Sequence, residues 1–170
     1  WYLSRKHLRE PLPTLLGSEM PHRSSRFEDA EFVALDIETT GLNPSTAQVL
    51  SVGWVLIRNG RVALETAESH LVRPSRGVGS SASVHGLTDT VVIQGDHWGD
   101  VLDLIVRTLE GRVLLVHHAG LDKLLLDRLC MLRYGARLYV PVVDTMALEL
   151  REQQRRHHIE SRKSLRLGEL

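Results

Sequence analysis

The chain has 170 residues, 42% of them hydrophobic, with 21 Lys plus Arg against 21 Asp plus Glu and one cysteine, Cys130. That is enough apolar sequence for one domain with a proper core, and there is no repeat that would suggest a solenoid. The balance excludes a global basic field, and the lone cysteine excludes a disulfide framework or thiolate metal site; with no window of eighteen apolar residues and no signal-peptide core, a soluble, cytoplasmic chain without a membrane span is expected.

The sequence opens at Trp1 without an initiator Met, which reads as a piece of a longer protein. Trp1-Tyr2-Leu3 can open a short helix through His7 and Leu8, and Pro11, Pro13 and Pro21 are expected to break its continuation. Residues 1–30 therefore read as an arm or extension on a domain spanning 31–170. The arm's Arg5, Lys6, Arg9, Arg23 and Arg26 are diluted by Glu10, Glu19, Glu28 and Asp29, the pattern of a solvated surface.

Phe32 to Ile37 is a nearly continuous apolar run, which predicts a central strand buried on both faces. It ends in Asp36 and Glu38, whose spacing places both carboxylates on one face, about 7 Å apart along the backbone. Two like charges held there are unfavourable unless a cation or a proton lies between them. Taken alone, the pair reads first as an ordinary polar strand end running into the Thr39-Thr40-Gly41 turn. Val49 to Ile57 predicts a second strand, Asn59-Gly60 a tight hairpin turn and Val62 to Val72 a third strand.

A Gly/Ser-rich loop from Pro74 to Ser83 leads to His85-Gly86-Leu87-Thr88-Asp89. From about Gly95 to Gly111, Val101, Leu104, Ile105, Thr108 and Leu109 recur at helical spacing and predict one covered face. Arg112 to Val116 predicts a short strand feeding through His117-His118 into a helix with Leu121, Leu124, Leu125, Leu129 and Leu132 on one side. Leu138 to Val143 predicts the last strand, and Asp144 caps a helix through about His158. This order indicates an α/β mixed sheet with helices on its faces, and no Gly-x-Gly-x-x-Gly marks a dinucleotide site. Asp122, in a helical first turn, is either an acid complementing the helix dipole or a third oxygen ligand joining Asp36 and Glu38 on a hard cation such as Mg²⁺ or Mn²⁺. His70 and His97 read as structural.

Four segments in order, Asp36-Ile37-Glu38-Thr39-Thr40-Gly41-Leu42, His85-Gly86-Leu87-Thr88, His117-His118-Ala119-Gly120-Leu121-Asp122 and Val143-Asp144-Thr145, resemble the motifs of the DEDD-type 3′→5′ exonucleases. The resemblance covers roughly residues 31 to 170 and implies a ribonuclease H-like mixed five-stranded sheet, three-strand antiparallel part first, with helices on both faces. It implies Asp36, Glu38 and Asp122 as catalytic ligands of two Mg²⁺ or Mn²⁺ ions, and Thr39, Thr40, Gly41, Leu42 and His85 as the hold on a terminal nucleotide. The implied reaction releases nucleoside monophosphates from the 3′ end of single-stranded or 3′-end DNA or RNA. For the N-terminal arm, the sequence leaves three alternatives open: docking to a polymerase, docking to a second copy of the chain, or no partner.

The departures are His118 where Asn is usual and Leu121 where Phe is usual. A third motif, His followed five residues later by Asp, would supply the general base and last ligand on a final helix after Ser164 to Leu170; on this reading that C-terminal helix is truncated. His157 and His158 are followed five residues on by Arg162 and Lys163 and read as solvated basic surface. Residues 1–170 alone are therefore expected to be weakly active or inactive. The alternative is a catalytically inactive nucleotide- or nucleic-acid-binding module of the same fold.

Overall fold

The computed structural model describes residues 8–75 and 92–156. Phe32–Thr39 forms strand β1, flanked on one side by β2 (Val49–Arg58) and then β3 (Arg61–Leu71), and on the other by β4 (Val113–Val116) and then β5 (Val142–Asp144). β2 pairs antiparallel with both β1 and β3, whereas β4 runs parallel to β1 and β5 parallel to β4. The β2–β3 turn is the Asn59-Gly60 pair, with φ of 52° and 69°; both residues lie in the left-handed region that a two-residue hairpin turn requires.

β1 is central, as its apolar run predicts, but its two faces differ. Val33, Leu35, Ile37 and Thr39 are buried, while Ala34 and Glu38 are half-buried and Asp36 is exposed. The buried face carries the main core, where Val33, Leu35 and Ile37 join Val101, Ile105, Leu125 and Leu126, each side chain contributing roughly 1.5–3 kcal/mol of apolar burial. The expectation of two equally buried faces fails because the acids share a face with Ala34, and that face opens into a hollow.

Three helices supply the main core: α1 (Leu12–Gly17), α2 (Trp98–Thr108) and α3 (Ala119–Tyr134). Leu12 and Leu15 of α1 are fully buried, and Pro11 and Pro13 start this helix rather than stop it, since a proline in the first turn lacks only an N–H that would have no intrahelical partner. The predicted helix at Trp1 to His7 lies outside the described residues. In α2 the inward face is Val101, Leu102, Ile105 and Val106, with Leu104 exposed; in α3 it is Leu125, Leu126, Leu129 and Cys130, with Leu124 and Leu132 exposed. Arg133 of α3 donates to both carboxylate oxygens of Asp103 on α2, at 2.8 and 2.5 Å, and locks the two helices together.

α4 (Thr145–Arg155) lies toward the other face of the sheet: its Leu148 lines one hollow with Phe32, Val113, Leu115 and Val143. Helices thus stand on both faces of the mixed sheet. No helix among the described residues is long and apolar enough to cross a membrane.

Candidate active site

Because β1, β4 and β5 run parallel, their carboxyl ends fall on one edge, where ligand chemistry gathers in α/β sheets. The register sets Ala34 beside Leu115 and Val116 beside Asp144, so Asp36, Glu38, the His117–Asp122 corner and Asp144 share that edge. Across the β1–β2 ladder the acids face small residues, Gly53 opposite Asp36 and Ser51 opposite Glu38. These residues line a hollow of about 650 Å³ together with His117 and Thr145.

Asp122 does not line that hollow; it sits in the first turn of α3, only 4% exposed. Burial above all, and next the negative charge of Asp36, push its carboxyl up to about 7; Asp144 and Glu38 add to the rise, and a backbone hydrogen bond opposes it. The structure therefore sets Asp122 within the field of both acids singled out in the sequence. No three His, Cys, Asp or Glu side chains among the described residues are gathered into a closed ligand set. The donor chemistry, three carboxylates with one buried against the charge of the other two, fits a hard divalent cation.

Asp144 works differently. Its Oδ1 accepts from Met146 N at 3.0 Å and Ala147 N at 3.3 Å, the N-terminal cap of α4 that the sequence predicts. It also accepts from His118 N and Ala119 N, both at 3.0 Å, at the start of α3. Desolvation raises its pKa, but the four backbone donors outweigh that and hold its carboxyl below the ordinary range. Beside it, Thr145 Oγ1 lies 3.3 Å from Val116 O and 2.9 Å from His117 Nδ1, the donor in the second contact being set by the imidazole tautomer.

The loop after β1 is held from within and from outside. Thr39 Oγ1 donates to Gly41 O at 2.8 Å, and Thr40 Oγ1 accepts from Gln48 N at 3.0 Å. Among the described residues nothing lies within 4 Å of where a Cβ on Gly41 would stand, and Leu42 is 86% exposed. From α3, Arg128 donates to Ser45 O at 2.7 Å and to Ala47 O, clamping the far limb of the same loop. Nothing in the sequence singles out Arg128, because its partners are carbonyl groups 81 and 83 positions away.

His85, His157 and His158 lie outside the described residues. His97 caps α2 by accepting from Gly99 N at 3.1 Å, and His70 stacks on Trp54 with Glu68 and Asp96 beside it, the structural roles expected for both. His118 has φ 75° and ψ 65°, a left-handed corner that His and Asn accept far better than branched residues. His118→Val should cost about 1–2 kcal/mol in thermal or urea unfolding, and His118→Asn should cost nothing.

No protein-family model matches the chain. It is 32% identical over 125 residues to the PolC-type DNA polymerase III of Thermotoga petrophila, covering 73% of this chain and 9% of that protein. It is 32% identical over 134 residues to a DNA polymerase III subunit epsilon-like protein of Rhodobacter capsulatus, covering 78% of this chain and 19% of that one. Among solved structures, exonuclease X in complex with 5′-overhanging duplex DNA aligns with a TM-score of 0.55 at 23% identity, covering 71% of this chain and 63% of that one. The chain thus spans less than a fifth of the length of these two sequence relatives. Kinship with polymerase III sequences at 32% identity over more than two thirds of the chain, on a ribonuclease H-like mixed sheet, makes the chain a member of the DEDD-type 3′→5′ exonuclease family.

Proposed function

We propose that this domain serves metal-dependent hydrolysis of the 3′-terminal phosphodiester of a single-stranded or 3′-end nucleic acid, releasing nucleoside monophosphates. The observation that carries this reading is the burial of Asp122 against the charges of Asp36 and Glu38 at the shared edge of three parallel strands. Asp36, Glu38 and Asp122 would hold two Mg²⁺ or Mn²⁺ ions, the set that oxygen donors of this hardness favour. Bound there, the ions would activate a water and stabilise the departing 3′ oxygen.

The chain's own residues receive and orient the substrate. Thr39 and Thr40 stiffen the loop, Gly41 leaves its space open to a sugar-phosphate, and exposed Leu42 offers an apolar surface to the terminal base. His85 is assigned to the same nucleotide from its motif. DNA is the favoured substrate because the sequence relatives are named DNA polymerases or a subunit-like relative of one; a polymerase is the favoured protein partner for the same reason. No His followed five residues later by Asp lies between Asp122 and Leu170, so residues 1–170 alone should bind a 3′ end and cleave slowly.

The test is a 5′-labelled single-stranded DNA with Mn²⁺, given to residues 1–170 and to the complete product of the gene. Progressive 3′ shortening by the complete product is expected. Binding without shortening by both would favour the inactive module, and rapid shortening by residues 1–170 would remove the need for a third motif.

A further inference from the structure

Side-chain caps ordinarily serve one helix, accepting from the second or third N–H of the helix they precede. Asp144 serves two. Met146 N and Ala147 N belong to α4, its own helix, but His118 N and Ala119 N belong to the start of α3, 26 and 25 residues earlier. One carboxylate therefore ties the β4–α3 corner to the β5–α4 corner, and the neighbouring Thr145 hydroxyl adds contacts to Val116 O and His117 Nδ1. The corner so tied is the one that turns through left-handed His118 and delivers Asp122 three residues after Ala119.

Asp122 stands buried in the first turn of α3, three residues after an N–H that Asp144 holds, so where its carboxylate lies relative to β1 depends on where that turn begins. We infer that Asp144 is a positioning residue, which anchors the start of α3 so that Asp122 stays opposed to Asp36 and Glu38, and thereby sets the affinity of the acid site for divalent cations. The inference rests on the reading of that site as a metal site. Groups that orient metal ligands from behind typically change affinity 10- to 100-fold when removed.

The experiment titrates Mn²⁺ into residues 1–170 by calorimetry, with folding followed by circular dichroism, for the wild type, Asp144→Asn, Asp144→Glu, Asp144→Ala and Asp122→Ala. Asn keeps one acceptor oxygen for the shared donors but loses the charge, whereas Glu keeps the charge on a stem too long for both corners. If Asp144 acts by anchoring, Asn weakens Mn²⁺ about 10-fold, and Ala and Glu about 100-fold. If Glu binds like the wild type while Asn matches Ala, the charge alone acts and the inference is overturned; wild-type affinity in all three overturns it too. Should Ala fail to fold, the order of Asn and Glu still decides. Asp122→Ala separates the two readings: Mn²⁺ binding that survives its removal ends the metal-site reading itself, and the role of Asp144 ends with it.

Discussion

Asp36→Ala is expected to reduce Mn²⁺-dependent 3′ shortening by the complete gene product at least about 10³-fold, while leaving its unfolding free energy within about 0.5 kcal/mol of the wild type. The two halves follow from one geometry. Asp36 is exposed, it faces Gly53 across the ladder, and it lines an open hollow, so losing its side chain leaves no core cavity and no unpaired buried group. Its negative charge is also the strongest neighbouring charge acting on Asp122, and removing it relieves repulsion in the metal-free protein. A loss of turnover with unchanged stability would place the role of Asp36 in the chemistry rather than in the fold. Glu38→Ala should behave alike in activity. The measurement pairs initial rates on a labelled oligonucleotide with urea unfolding; shortening that survives Asp36→Ala would dismiss the proposed chemistry, whatever the stability shows.

How much of this was legible in the sequence depended on whether the signal was local. The acids on one strand face, the Asn59-Gly60 turn and the Asp144 cap are each set by neighbours within a few residues, and all three stand where the pattern puts them. The helix faces were less legible. α3 carries leucines at 121, 124, 125, 126, 129 and 132, so several stripes score alike, and contact with the sheet selects the one through Leu125, Leu126 and Leu129. The new helix that begins after Pro11 was not foreseen, because the missing N–H that ends a helix interior is harmless in a first turn. Arg128 and the second half of the Asp144 clasp could not be read at all, since a side chain that bonds distant backbone amides leaves no pairing pattern in sequence.

Asp122→Asn should stabilise the metal-free protein at pH 8 by roughly 2 kcal/mol and leave it no more stable than the wild type near pH 4. In the folded chain burial and then the charge of Asp36 raise this carboxyl from an ordinary 3.8 to about 7. Between those values the folded state keeps a proton that the unfolded state has released, so stability falls as pH rises and the full penalty is present above about 7. Asn mimics the protonated carboxyl in shape and carries no titration, so the difference between variant and wild type should open across that window and stay flat above it. Measuring the difference cancels groups that titrate alike in both proteins. Divalent cations should reverse the order: Mg²⁺ at 100 times its dissociation constant adds about 2.7 kcal/mol to a chain that binds it, and the Asn variant, short of one anionic ligand, should gain little. The wild type would then be the more stable protein at pH 8 with Mg²⁺ and the less stable one without it. Parallel melting curves across pH 4 to 8, with no crossing on adding Mg²⁺, would mean that Asp122 is neither a strained acid nor a ligand.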